Sequence, residues 1–185
     1  MTNEEHDKLL IERIKKEDHE AFRLLVDKYK DQALSLAYTF LKDKAHAEDV
    51  LQEVFIRVYK KIKSFKYQSA FYTWLYRIVV NHCHNELRKR KRSDIEIEKI
   101  DLGEDSLSEH TDLNDKRAII QASLDIMKFD EALVLKLFYL SELKMDEVVE
   151  VTEFSLSKVK VTLHRARKNL AVILREKFGK EIEEL

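Results

Sequence analysis

The scarcity of turn-forming residues constrains this chain more than any other feature of its sequence. Its 185 residues include two glycines and no proline. Glycine and proline allow or fix the backbone angles of most tight turns, so hairpins and strand ends lack their usual signals here. Hydrophobic residues make up 44% of the chain, enough to build cores, and 37% charged residues suit solvated helix faces. The composition therefore predicts an all-α fold.

A single cysteine, Cys83, excludes an internal disulfide framework and fits a reducing compartment. No apolar run approaches the ~20 residues of a membrane span, and the N-terminus is acidic rather than signal-like. We therefore expect a cytoplasmic protein. His82, Cys83 and His84 are consecutive, and neighbouring side chains on a helix point about 100° apart, so we expect no metal site. No pattern in the sequence indicates a cofactor or a catalytic group.

Charge is distributed unevenly along the chain, although the net charge is only −1. Residues 1–92 carry 20 cationic and 14 anionic side chains, residues 93–116 carry 2 and 9, and the remainder carries 12 of each. An acidic segment between a basic part and a neutral part indicates two domains and a linker. We assign residues 1–92 to a first domain, 93–115 to a flexible acidic linker and 116–185 to a second domain.

The segment from Ser64 to Arg92 combines six aromatic residues with five consecutive cations. This combination suits single-stranded nucleic acid, because bases stack on rings at ~1–3 kcal/mol each and Lys or Arg contacts the backbone. An aromatic core cluster followed by a solvated helix end would give the same pattern. Ser69 can cap the helix of this segment, and the preceding loop places Tyr67 and Gln68 where nothing obliges them to be buried.

The second and third predicted helices each follow a suitable aspartate N-cap, Asp18 and Asp43. The third helix carries a polar surface opposite its apolar stripe. Five residues lie on that surface: Asp49, Gln52, Glu53, Ile56 and Lys60. This surface is either a solvated face with one exposed isoleucine or a docking surface for a basic helix of another protein.

The second domain contains the pattern of a helix-turn-helix. Helical spacing over Met145–Thr152 is followed by a three-residue break and by a basic helix for which Ser155 is a suitable N-cap. In a helix-turn-helix the second helix enters the major groove of DNA. Any helical hairpin with a basic face has a similar pattern, so this signal alone leaves the function open.

Three segments together resemble the extracytoplasmic-function sigma factors, which are promoter-specificity subunits of bacterial RNA polymerase. They are AEDVLQEVFIRVY (Ala47–Tyr59), FYTWLYRIVVN (Phe71–Asn81) with LRKRKR (Leu87–Arg92), and SLSKVKVTLHRARKNL (Ser155–Leu170). They occur in the family's order, and the resemblance covers nearly the whole chain apart from the linker and the two ends. It implies two helical domains, called sigma-two and sigma-four, and a function in promoter-specific initiation of transcription.

The resemblance also implies partners: the β′ clamp helices and β flap of core RNA polymerase, promoter DNA and an anti-sigma factor. The residues expected to contact core polymerase are Asp49, Gln52, Glu53 and Ile56. The residues expected to bind the −10 element are Phe65, Tyr67, Gln68, Ser69, Asn81, Asn85, Arg88, Lys89, Arg90 and Arg92. The residues expected to bind the −35 element are Ser157, Lys158, Lys160, Val161, His164 and Arg165.

The second domain departs from the family pattern at several positions. Met127 and Lys128 stand where a Leu-Pro pair is usual, Ala132 where arginine is usual, and Glu153 where the turn usually has glycine. A non-glycine residue at positive φ costs on the order of 1 kcal/mol, which a domain tolerates. We expect this domain to read an unusual −35 sequence or to read one weakly.

Two other functions fit parts of the sequence. A conventional helix-turn-helix regulator would bind palindromic duplex DNA without core polymerase, but it gives the aromatic loop no role. An RNA-binding helical module would use the surface of residues 64–92.

Overall fold

The computed structural model describes residues 2–96 and 116–183, and describes the backbone alone at 90–96, 116–118 and 178–183. Within these ranges the chain is helical and contains no strand, which confirms the predicted fold class. The α-helices are α1 (Asn3–Lys15), α2 (His19–Leu41), α3 (Lys44–Lys61), α4 (Phe71–Glu96), α5 (Lys116–Asp125), α6 (Phe129–Leu135), α7 (Met145–Thr152) and α8 (Leu156–Glu183). A 3₁₀ turn, Ile62–Ser64, follows α3, and a π-helical turn, Lys136–Leu140, follows α6.

Local capping explains where the early helices begin. The Asp18 carboxylate accepts a hydrogen bond from the Ala21 amide, and the Asp43 carboxylate accepts one from the His46 amide, each at 3.0 Å. These bonds satisfy amides that have no partner within the helix, and they confirm both predicted N-caps.

The predicted cap at Ser69 is wrong, because α4 begins at Phe71 and the residue before it is Ala70. The Trp74 amide donates to the Ala70 carbonyl at 3.2 Å, so the first helical turn closes on Ala70 rather than on Ser69. Ser69 instead lines a pocket beside the loop.

The first four helices enclose a core in which much of the aromatic cluster is packed. Leu25, Val54 and Leu75 are almost completely buried, and burial of such side chains stabilises the fold by ~1.5–3 kcal/mol each. The Phe71 ring lies 5.5 Å from the Tyr29 ring and 5.9 Å from the Trp74 ring, measured between centroids. The core interpretation of these rings is therefore correct.

Helix α4 continues beyond the predicted end of the first domain. It runs to Glu96, so the predicted boundary at residue 92 falls inside a helix rather than at the start of a linker. Residues 97–115, which make up most of the predicted linker, lie outside the described residues, as do the side chains of Arg90 and Arg92.

Helices α7 and α8 form the predicted helix-turn-helix with the expected boundaries. Glu153 adopts the left-handed conformation with φ 59°, at the position where glycine is usual. The Ser155 hydroxyl accepts a hydrogen bond from the Lys158 amide at 3.2 Å, which confirms it as the N-cap of α8. Val148, Val159 and other apolar side chains pack the two helices together in the core.

The two parts of the protein pack against each other where α4 meets α7. Tyr72 and Thr73 both donate hydrogen bonds to the same carboxylate oxygen of Glu147, at 2.8 and 3.0 Å. One turn further along α4, the Arg77 guanidinium lies 3.7 Å from the Glu150 carboxylate. This interdomain contact therefore includes polar contacts as well as apolar packing.

Lys136 is buried at a second contact between the two parts. Its ammonium group donates to the Ser35 carbonyl of α2 at 3.2 Å, and the residue is only 3% exposed. Burial lowers the pKa of Lys136 from 10.5 to about 8, and the neighbouring Asp125 carboxylate offsets part of this shift. The contact thus places a titratable group where its charged form is disfavoured.

Stability should rise with pH because of Lys136. Between about pH 8 and 10.5 the unfolded chain retains a proton on Lys136 that the folded chain releases, so raising the pH favours folding by up to about 1.4 kcal/mol per pH unit. Lys136→Met removes this contribution. We expect urea denaturation to show the wild type gaining stability relative to the variant across this range. Parallel pH profiles for the two proteins would contradict the burial of this lysine.

Candidate nucleic-acid interface

A pocket of about 210 Å³ lies between α1 and the loop that precedes α4. The loop and the start of α4 contribute Phe65, Tyr67, Ser69, Ala70 and Phe71. Helix α1 contributes Glu4, Asp7, Lys8 and Ile11. The pocket combines aromatic rings with polar groups in a volume that suits one small planar group, as pockets for extruded bases do.

Tyr67 forms the outer part of this pocket and is held by α1. Its hydroxyl donates to the Glu12 carboxylate at 2.6 Å and accepts from the Lys15 ammonium at 3.2 Å. The Lys15 nitrogen also lies 4.4 Å from the centroid of the tyrosine ring. Tyr67 is 37% exposed, so part of its ring remains available to a ligand.

The other loop residues predicted to bind DNA differ in their accessibility. Phe65 is 7% exposed, and its ring packs 5.0 Å from Trp74 and 4.9 Å from Tyr67. It therefore belongs to the core and also lines the pocket. Gln68 is exposed and Ser69 is half-buried. The structure brings Phe65, Tyr67 and Ser69 together at the pocket.

The polar side of α4 leads away from the pocket toward the exposed cations Arg88 and Lys89. Asn81, Asn85, Arg88 and Lys89 are all exposed on this helix. A cavity of about 400 Å³ lies beside them, lined by Arg57, His82, Asn85, Glu86, Arg88 and Lys89. At 1.5 Å per residue, Arg88 is about 25 Å along the helix from the start of α4. These residues therefore form a polar track, by which we mean a row along one helix, and they do not surround the pocket.

The predicted docking residues share one exposed face of α3. Asp49, Gln52, Glu53 and Ile56 are all exposed, and Ile56 has 56% of its surface accessible. Their spacing of three and four residues places them in a row on the helix. The Glu53 carboxylate also lies 2.9 Å from the ring nitrogen Nε2 of His82, which ties this face to α4.

The exposed side of α8 carries all the residues predicted to read duplex DNA. Ser157, Lys158, Lys160, Val161, His164 and Arg165 are exposed. The Lys158 ammonium is partly engaged within the protein, because it lies 2.9 Å from the Asp130 carboxylate and 3.4 Å from the centroid of the Phe154 ring.

The sequence did not reveal that α1 forms a wall of the pocket. Asp7 is the available signal, because it is a carboxylate on the apolar side of a short amphipathic helix. It is 2% exposed and accepts hydrogen bonds from Lys28 and Tyr29. Burial and the bond to Asp7 raise the pKa of Tyr29, so its hydroxyl remains a donor. These contacts fix α1 against α2.

The His82, Cys83 and His84 side chains point in different directions. Cys83 is buried, which raises the pKa of its thiol to about 12. His82 contacts Glu53, and the His84 ring packs 5.1 Å from the Phe40 ring. Within the described ranges, no group of three or more His, Cys, Asp or Glu side chains could hold a metal ion. No helix there is long and apolar enough to cross a membrane.

Comparison with protein families gives two matches along the chain. Residues 25–93 match the family described as Sigma-70 region 2, and residues 117–170 match the family described as Sigma-70, region 4. The first match begins within α2, so α1 precedes it.

Several curated proteins are similar over nearly their whole length. RNA polymerase sigma-H factor of Pseudomonas aeruginosa is 34% identical over 192 residues, covering 95% of this chain and 100% of that protein. ECF RNA polymerase sigma factor SigW of Bacillus subtilis is 33% identical, covering 90% of this chain and 95% of that protein. ECF RNA polymerase sigma-E factor of Escherichia coli is 34% identical, covering 90% and 93%.

Two solved structures share the fold. CnrH, in complex with the cytosolic domain of CnrY, has a TM-score of 0.66 at 20% identity, covering 93% of this chain and 99% of that chain. The sigma factor RpoE from Bartonella quintana, in complex with the anti-sigma factor NepR, has a TM-score of 0.67 at 18% identity, covering 84% and 98%.

Proposed function

Because this chain belongs to the extracytoplasmic-function sigma factors of RNA polymerase, we propose that it binds core RNA polymerase and directs it to specific promoters. The first domain docks on the polymerase and captures the opened −10 element, and the second domain reads the −35 element. The chemistry of RNA synthesis belongs to the polymerase, so we assign no catalytic residue to this chain. It works where core polymerase works, in the cytoplasm.

The observation that carries this proposal is the pocket beside Tyr67, on a domain whose longest helix also carries the exposed cations Arg88 and Lys89. Extruding a base from duplex DNA costs a few kcal/mol. Stacking on aromatic side chains returns ~1–3 kcal/mol per base. A regulator that reads intact duplex has no use for such a pocket, which is why we favour the sigma factor over a conventional helix-turn-helix regulator.

The polar track of α4 suits the strand that leaves the pocket. Asn81 and Asn85 offer amide groups to base edges, and Arg88 and Lys89 offer cations to phosphates. The length of about 25 Å from the start of α4 to Arg88 spans about seven nucleotides at the 3.4 Å spacing of a duplex strand, and fewer if the strand is extended. One helix therefore accommodates a promoter element of ordinary size.

The exposed side of α8 suits the major groove of the −35 element. Lys160 and Arg165 have no ion pair with another described side chain and can approach phosphates or base edges. Lys158 must first leave Asp130 and Phe154, which reduces its net contribution. This competition supports the expectation that the −35 element is read weakly or through an unusual sequence.

The second domain also offers an apolar groove for polymerase. It has a volume of about 450 Å³ and is lined by Ile120, Leu124, Leu135, Tyr139, Leu140, Arg167, Leu170, Ala171 and Leu174. The family resemblance implies contact with the β flap of the polymerase, and we propose this groove as the place where an apolar segment of the flap binds.

Simultaneous recognition of both promoter elements requires the two domains to separate. Elements centred about 25 base pairs apart are about 85 Å apart at 3.4 Å per base pair. Tyr72 and Thr73 of α4 directly contact Glu147 of α7, so these bonds cannot persist on such a promoter. We propose that core polymerase opens the molecule and that an anti-sigma factor binds it when it is inactive. RpoE, which has a similar fold, is in complex with the anti-sigma factor NepR.

Replacing Asp49 and Gln52 by alanine should weaken core polymerase binding about tenfold or more, because close charged contacts at interfaces contribute ~1.5 kcal/mol or more. Fluorescence anisotropy of the labelled chain, titrated with core polymerase, measures the change. Asp27→Ala is the matched control, since Asp27 is an exposed aspartate on α2, away from the α3 face. An equal effect of the control, or no effect of the double variant, would argue against this docking face.

Lys160→Ala should reduce the salt dependence of promoter binding. Loss of one phosphate contact lowers the slope of log affinity against log salt concentration by about one. Holoenzyme binding to promoter fragments that it has itself selected provides the measurement. Arg175→Ala removes the same charge from the same helix about 22 Å further along and should leave the slope unchanged. Identical slopes for both variants and the wild type would exclude Lys160 from the DNA interface.

A further inference from the structure

We propose that Glu12 and Lys15 of α1 are positioning residues for base capture. They hold Tyr67 as the outer wall of the pocket and thereby set how strictly the pocket selects one base over the others. The inference rests on the proposed function of the pocket, and it adds a determinant that lies before the residues matched to region 2.

The geometry around the Tyr67 hydroxyl is a closed network of three side chains. The hydroxyl donates to Glu12 Oε1 at 2.6 Å, Lys15 Nζ donates to the hydroxyl oxygen at 3.2 Å, and Lys15 Nζ also lies 3.0 Å from the same Glu12 oxygen. The hydrogen bonds from Tyr67 and Lys15 lower the pKa of the Glu12 carboxyl, which keeps it an acceptor. Each member of the network therefore restrains the other two.

Cations hold the face of the Tyr67 ring as well as its hydroxyl. Lys15 Nζ lies 4.4 Å from the ring centroid and Lys8 Nζ lies 5.8 Å from it. A cation within about 6 Å of an aromatic face is attracted by the ring quadrupole. The ring also packs edge-to-face against Phe65, with centroids 4.9 Å apart. The ring orientation is thus determined by contacts on several sides.

The backbone of Tyr67 needs this restraint. Its φ of 56° is in the left-handed region, which a bulky residue without local compensation rarely adopts. Such conformations persist where the surrounding structure determines them. The network with Glu12 and Lys15 contributes to this restraint from outside the loop.

Helix α1 is itself fixed, so it can serve as a reference for the loop. Leu10, Ile11 and Ile14 are almost completely buried, and Asp7 accepts hydrogen bonds from Lys28 and Tyr29 of α2. The pocket therefore has a rigid wall on α1. The network with Glu12 and Lys15 sets the distance between this wall and the Tyr67 ring on the outer side of the pocket. Loss of the network would loosen the pocket and lower its discrimination between bases.

The test measures base preference rather than total affinity. Holoenzyme made with the full chain selects oligonucleotides from a random single-stranded DNA pool, and the enrichment of each base is then determined at every position. Glu12→Ala and Tyr67→Phe should each lower the preference at one and the same position by about two- to fivefold, the effect of losing one partly exposed hydrogen bond. Glu12→Gln keeps an oxygen acceptor and should retain most of the preference.

A double variant separates positioning from direct contact with DNA. If Glu12 acts through the Tyr67 hydroxyl, Glu12→Ala combined with Tyr67→Phe should be no worse than Tyr67→Phe alone. Glu20→Ala breaks a comparable exposed ion pair on α2, with Arg23 at 2.6 Å, and should change nothing. Each variant should still unfold in one cooperative transition, with a thermal midpoint within a few degrees of the wild type, which separates loss of positioning from loss of folding.

Several results would overturn the proposal. In the first, the reductions in base preference caused by the two substitutions multiply in the double variant. In the second, base preference falls equally at all positions. In the third, Glu12→Ala keeps the full base preference of the wild type. A wild-type holoenzyme that prefers no base at any position would instead refute base capture by the pocket. The positioning role fails on its own only where the wild type selects a base and Glu12→Ala selects it equally well.

Discussion

Helix α4 contacts the core of the first domain, helix α7 and solvent on different faces. The placement of the other elements follows from this constraint. Leu75 and Val79 face the core of the first domain and are completely buried. Tyr72 and Thr73 point toward α7 and share the Glu147 carboxylate. Asn81, Arg88 and Lys89 remain exposed. Because the period of a helix separates these faces, one helix supports a core, an interdomain contact and the surface that we propose binds DNA.

The contact between the domains includes polar groups that water can solvate when the domains separate as we propose. Its hydrogen bonds to the Glu147 carboxylate contribute ~1.5–3 kcal/mol each in net terms, well below their strength in the absence of water, because water replaces them when the domains separate. Lys136 is buried there against a carbonyl oxygen and lies in a position that disfavours its charged form. Opening the contact hydrates this ammonium group, which offsets part of the lost packing. These features suit a molecule that has two arrangements of the same two domains.

Features that depend on neighbouring residues were predictable from the sequence. Aspartate caps at Asp18 and Asp43, the Ser155 cap and the left-handed Glu153 all follow from local backbone chemistry. The Ser69 cap was wrong because burial of the surrounding rings, not the cap preference, decides where the loop ends and α4 begins.

Contacts between distant parts of the chain were not predictable in the same way. Tyr67 meets Glu12 across 55 residues, and Tyr72 meets Glu147 across 75 residues. Helical periodicity identifies which face of a helix is polar, but it does not identify which other helix that face meets. The exposed faces of α3 and α8 were therefore predictable, whereas the α1 wall of the pocket required the structure.

Transcription in vitro tests the central claim most directly. Core RNA polymerase is mixed with genomic fragments, with and without the purified chain, and the transcript start sites are mapped. The account predicts defined start sites that depend on the chain and share sequence elements near −10 and −35. A chain that binds a duplex site tightly by itself and adds no start site to core polymerase would contradict it.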